Sequence, residues 1–199
     1  MKEYFSIIEK LQEIKEKGYI KTHRKGNTGI GKTLEDLLGI KENNIPGPNA
    51  KMIELKSARK NATSMLTLFT KSPLPPKANS ILLERFGYES GKDNKKKELH
   101  TTVNAKEFNQ LKGNAGFKIE IQEDNINIIT PENEIVGYWD KETLKKSFEK
   151  KLPKLLYVKA ESRGGGENEE FWFNEAWLLS GFNFRNFVHL LKEGTILVD

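Results

Sequence analysis

Cysteine is absent from this 199-residue chain. That excludes disulfides and every metal site built on thiolate, and it points to a reducing cytoplasm. Histidine is scarce: His23, His100 and His189 stand far apart, without the spacing of a metal-ligand motif. No apolar run approaches the roughly 20 residues that a membrane-spanning helix needs. The N-terminal MKEYFSIIEK carries acids inside its apolar pattern, so it reads as an amphipathic helix rather than a signal peptide. No repeat or clear linker divides the sequence, and its length suits one domain, residues 1–199, with a sizeable core.

Charge is what the chain has in abundance. Charged residues make up 31% of it against 36% hydrophobic ones, and the net charge is +5. A basic balance favours anionic partners, nucleic acid among them, without identifying one.

Helical spacing runs through Tyr4, Ile7, Ile8, Leu11 and Ile14, with Gly18 as the stop, and through Ile30, Leu34, Leu37 and Leu38, closed by Gly39. Residues 41–48, rich in Asn, Pro and Gly, read as a loop. Strands are expected at Met52–Lys56 and Met65–Phe69, then a Pro-rich turn at Ser72–Pro76 and a short helix at Ile81–Phe86. The lysine-rich Gly91–Glu98 reads as a mobile loop. Phe117, Ile119 and Ile121 alternate with polar residues and precede Asp124-Asn125 and Ile126–Ile129, a hairpin pattern, with a further strand at Ile135–Trp139. Asp140 is a good N-cap for a helix with the stripe Leu144, Phe148 and Leu152. A strand at Leu155–Val158, a flexible link at Gly164–Gly166, a segment Phe171–Trp177, a helix near Phe187–Leu191 and a strand at Ile196–Val198 complete the reading. Trp172, Phe173 and Trp177 read as core. Helices and strands intermingle, so the class is α/β or mixed α+β.

Gly26–Thr33, GNTGIGKT, satisfies the phosphate-loop pattern G-x-x-x-x-G-K-[ST]. Its context argues against a nucleotide: the preceding Tyr19–Lys25 is polar rather than a buried strand. The same geometry suits another anion. Arg24, Lys25, Lys32 and the amides at a helix start can grip a DNA phosphate.

The segment Met52–Lys56 carries the chemistry. If it is a strand, Ile53 and Leu55 enter a core while Glu54 and Lys56 share the opposite face. A carboxylate beside a lysine can hold a divalent metal and place a cation next to it, which suits phosphodiester hydrolysis. The position for a second carboxylate, five residues upstream, is Asn49. Without more, such a pair is commonly an exposed salt bridge.

Longer blocks resemble a known family. Arg24–Leu38, the Glu54-Leu55-Lys56 strand and Leu66–Pro73 (LTLFTKSP) are similar, in the same order, to the MvaI/BcnI restriction endonucleases. Leu99–Val103, Phe117–Ile121, Tyr138-Trp139 and Lys150–Leu152 continue the match over most of the chain. The first and third blocks are specific; a lone Glu-x-Lys would not be. The resemblance implies the PD-(D/E)XK nuclease fold, kinship with the mismatch-repair nickase MutH, and a monomeric bacterial cytoplasmic enzyme that uses Mg²⁺ to nick double-stranded DNA one strand at a time. By the same resemblance Glu54 is the metal-binding carboxylate, Lys56 the catalytic lysine and Glu35 the auxiliary acid. The Leu55 carbonyl is expected as a second ligand, and Arg24, Lys25, Asn27, Thr28, Lys32 and Lys71 as DNA contacts.

Two departures stand out. Asn49 places a neutral amide where the family has a metal-bridging aspartate, and Mg²⁺ favours charged oxygens. An engineered exchange, an inactive natural member and an active site that uses Asn all remain open. The chain after Phe171 is also shorter than the family's base-reading region, leaving specificity relaxed, differently built or supplied by a separate subunit or domain. A DNA-binding module without catalysis is the second reading, and nucleotide hydrolysis the third.

Overall fold

The computed structural model describes residues 2–40, 53–90 and 93–199. Asn49 and Met52 therefore lie outside the described residues. The chain forms two compact units, one from Met1–Leu68 with Lys150–Phe182, the other from Phe69–Glu149 with Asn183–Asp199. It is a mixed α/β protein with five α-helices among the described residues.

The first unit holds helices α1 (Lys2–Glu16) and α2 (Gly29–Leu38) and a sheet of strands β1 (Ile20–Lys21), β2 (Glu54–Arg59), β10 (Leu155–Arg163) and β11 (Glu170–Leu179). The order is β1-β11-β10-β2, with β2 parallel to β10 and the other pairs antiparallel. Both helices end as the sequence predicts, at Gly18 (φ 70°) and Gly39 (φ 72°), where a left-handed backbone favours glycine. Alternation then assigns the sheet faces. Leu55 of β2, Leu156, Val158 and Ala160 of β10, and Phe171 and Phe173 of β11 are buried together with Ile14, Ile30, Leu34 and Leu38 of the helices. Each large aliphatic chain so buried stabilises the fold by about 1.5–3 kcal/mol. The expected flexible link Gly164–Gly166 is a tight connection instead. Gly164 (φ 72°) leads into a 3₁₀ turn over Gly166–Asn168 between β10 and β11.

The second unit contains α3 (Ala78–Phe86), the hairpin β3 (Tyr88–Ser90) and β4 (Asp93–Glu98), and the small ladder β5 (Gln110–Leu111) with β6 (Asn114–Ala115). It also has the antiparallel meander β7 (Lys118–Ile121), β8 (Asn125–Ile129) and β9 (Ile135–Asp140), most of helix α4 (Lys141–Lys151), and α5 (Phe184–Lys192). The expected hairpin is present, and Asp140 caps α4 by accepting from the Thr143 amide at 2.7 Å. Phe69, Phe148, Phe184 and Phe187 pack ring against ring, with centroids 5.0 to 6.1 Å apart.

Further expectations fail, those on strands for lack or presence of a hydrogen-bonding partner. Met65–Phe69 alternates but pairs with no strand among the described residues; Phe69 is held by aromatic packing instead. Asp93–Glu98, in the segment expected as a mobile loop, is a strand because β3 offers it a ladder, and Lys97 donates to the Glu84 carbonyl. Ile196–Val198 makes only the single bridge Val103–Val198. Trp177 is 43% exposed rather than core, whereas Phe173 is buried.

Candidate active site

Glu54 opens β2, an edge strand of its sheet among the described residues. Its Oε1 lies 3.1 Å from the Lys56 ammonium, with the two side chains 13% and 28% exposed. Since Leu55 points into the core with α2, the Glu54–Lys56 pair occupies the opposite face of the sheet. The pairing expected from alternation is thus formed, and it is shielded from solvent more than most surface pairs.

Backbone direction adds a second feature. The Glu54 and Lys60 amides both donate to β10, to the carbonyls of Lys154 and Ala160 at 2.8 Å. Alternate residues of a strand aim their backbone groups to opposite sides. The Leu55 carbonyl therefore points away from β10, to the edge left unpaired among the described residues. A hard divalent cation takes carboxylate and carbonyl oxygens, so this donor set fits one. Among the described residues no group of three acids or histidines converges on a metal position. Asn49, the remaining expected ligand, lies outside them.

Glu35 is half-buried on α2. One turn earlier on the same helix, a Cβ at Gly31 would meet the Ser57 hydroxyl at 3.8 Å, so α2 runs closely along β2. That places Glu35 on the helix beside the strand of the pair.

The turn before α2 explains the phosphate-loop-like sequence in structural terms. Gly26 adopts φ 87°, and a Cβ at Gly29 would lie 2.2 Å from the Arg24 carbonyl oxygen. The Thr33 hydroxyl is fully buried, accepting from the His23 amide at 2.9 Å and donating to the Gly29 carbonyl at 2.8 Å. Thr33 is thereby engaged in holding the turn rather than presented to a metal. Before the turn stands only the two-residue edge strand β1.

Arg24, Lys25, Asn27 and Thr28 are exposed on this turn. Lys25 pairs with Glu167 at 3.2 Å, and Lys32 with Asp36 at 2.8 Å. His23 Nδ1 also meets Asp36 at 3.0 Å. The Lys32 ammonium, and then His23, hold the Asp36 carboxyl below the usual carboxylate range. Lys71 is exposed in the second unit, where its carbonyl accepts from the Trp139 indole.

Sequence reasoning missed Arg59. From the end of β2 it makes two bonds to Glu169, at 2.6 and 2.7 Å, and reaches the Gly26 carbonyl at 3.4 Å. It ties the basic turn to the strand that carries Glu54 and Lys56. Only a pairing of distant segments reveals this; nothing near Arg59 in the sequence signals it.

The model of the MvaI/BcnI restriction endonuclease family matches residues 8–199. Solved structures are similar to this chain, two of them of the same enzyme. One, restriction endonuclease MvaI in complex with cognate DNA substrate, is 33% identical with a TM-score of 0.84, covering 96% of this chain and 80% of that one. The other, MvaI in the absence of DNA, is 31% identical with a TM-score of 0.52, covering 98% and 88%. No curated protein matches. The family generally implies use of a divalent metal. The match spans nearly the whole chain, with its Glu-x-Lys strand formed and paired, so the chain belongs to the MvaI/BcnI restriction endonuclease family, among the type II site-specific deoxyribonucleases.

Proposed function

We propose that this protein hydrolyses phosphodiester bonds in double-stranded DNA with Mg²⁺, one strand at a time, as a monomer in which the whole chain serves as one catalytic domain. The observation that carries this reading is the Glu54–Lys56 pair at 3.1 Å on an edge strand with an outward-facing Leu55 carbonyl. Glu54 and the Leu55 carbonyl would hold the metal, and Asn49 would contribute its amide oxygen. When bound, Mg²⁺ supplies positive charge for the scissile phosphate and acidifies the attacking water. Lys56 would orient the attacking hydroxide and steady the developing negative charge. Glu35 orients Lys56. Arg24, Lys25, Asn27, Thr28, Lys32 and Lys71 hold the DNA backbone, with Lys25 and Lys32 exchanging their carboxylate partners for phosphate.

A supercoiled-plasmid nicking assay with Mg²⁺ tests this. The parent is expected to nick, Asn49→Asp to nick faster, and Glu54→Gln to lose on the order of a hundredfold or more. Cleavage by neither the parent nor Asn49→Asp would overturn the reading. Asn49 also favours a second one: a DNA-binding module that keeps the fold without catalysis. It predicts a salt-dependent gel shift with no cleavage, unaltered in Asn49→Asp.

A further inference from the structure

The register of the sheet places a second set of groups on the face that carries Glu54 and Lys56. Tyr157 pairs with Lys56 and with Trp177, and Lys159 pairs with Ala58 and with Glu175, so all of these side chains share that face. The Tyr157 and Trp177 ring centroids are 6.0 Å apart at 30°. The Lys159 ammonium lies 5.8 Å from the Tyr157 ring and 5.9 Å from the Trp177 ring. Trp177 is 43% exposed and Lys159 half-buried.

Among the described residues, Lys159 differs from the neighbouring cations in lacking a carboxylate. Its register partner Glu175 is taken by Lys60 at 2.5 Å, and Lys60 also holds Glu161 at 3.0 Å. Among the described residues, Lys159 has aromatic faces as its only partners. A lysine held over two rings loses some side-chain freedom. Strand geometry sets its Cα about 8 Å from that of Lys56, two residues along and one strand across. Ala58, between them, adds little bulk.

We propose that Lys159, Tyr157 and Trp177 form a DNA-backbone platform beside the cleaving pair. Lys159 takes a phosphate flanking the scissile one, and the exposed Trp177 ring packs against the adjoining sugar. The inference rests on the assignment of Glu54 and Lys56 above. Its occupant is duplex DNA because an unneutralised cation flanked by aromatic surface complements a phosphate–sugar backbone and continues directly from the residues that handle the scissile bond.

The test measures binding of a fluorescein-labelled, mixed-sequence duplex without metal across a salt series, and plasmid nicking with Mg²⁺. Lys159→Gln is expected to make the slope of log affinity against log salt shallower by about 0.9. It should weaken binding by about tenfold, raising KM more than it lowers kcat. Lys159→Arg restores the slope, and Trp177→Ala weakens binding with the slope kept. Glu54→Gln serves as the separate control, losing nicking while retaining the parent slope. A parent-like slope and affinity in Lys159→Gln would overturn the platform, whatever Glu54→Gln does. Conversely, parent-like nicking by Glu54→Gln overturns the cleaving pair, and the salt slopes still decide the platform.

Discussion

Two demands meet at Lys56. In this structure its ammonium neutralises Glu54 at 3.1 Å, yet the proposed catalysis requires the carboxylate for metal and the cation for the phosphate. Removing the lysine separates the two roles. Lys56→Gln is expected to reduce nicking by about 10²–10³ through loss of one preorganised donor, while Mg²⁺ affinity measured by calorimetry does not fall. A parallel loss of metal affinity would show that Lys56 acts by shaping the Glu54 site rather than by touching the reacting phosphate. At this scale the sequence was most legible. Glu54, Leu55 and Lys56 declare their faces by alternation alone, because a strand has a period of two. Arg59 was not legible, since its partners Glu169 and Gly26 lie far along the chain.

The element that decides the basic turn is α2, and its glycines have unequal duties. Gly29 sits against the Arg24 carbonyl, where an added Cβ would stand 2.2 Å away, whereas at Gly31 the nearest atom would be Ser57 Oγ at 3.8 Å. Gly29→Ala should therefore destabilise by about 1–3 kcal/mol through backbone displacement. Gly31→Ala should be neutral or stabilise the helix by about 0.5–1 kcal/mol. Urea denaturation of both variants checks the contrast; equal destabilisation would show that the turn is not packed as described. The phosphate-loop pattern was visible in the sequence and misleading by itself, because what surrounds Thr33 depends on how the turn folds back. For the same reason helix ends marked by Gly18 and Gly39 were readable, being set by local backbone. The strand status of Met65–Phe69 and Asp93–Glu98 was not, since a strand exists only where a second segment completes its ladder.

Across the whole molecule, acids are held in their charged form by specific neighbours. Asn174 and then Lys60 lower the Glu161 pKa, Arg85 lowers that of Glu134, Lys106 that of Glu193 and Lys32 that of Asp36. A depressed folded pKa contributes stability that is present above the unfolded pKa and lost as pH falls through the folded one. Melting temperature should therefore hold from neutrality down to the ordinary carboxylate range and drop below it. Lys60 has the opposite sign: Glu175, then Glu161, raise its pKa, so its contribution disappears only as pH rises past the ordinary ammonium range. These groups are largely exposed, and added salt should flatten both dependences. Melting curves over pH at low and high salt check this; a melting temperature that rises on acidification would contradict it.

The sequence by itself determined the mixed helix and strand content, the faces of β2 and the family, because these follow from periodicity, local backbone preference and residue identity. Tertiary structure decided which charges neutralise each other. It alone set Lys56 on Glu54, gave Glu175 to Lys60 and left Lys159 over two rings. Charge pairing depends on strand register, and register is fixed only when segments about a hundred residues apart bury their common apolar face.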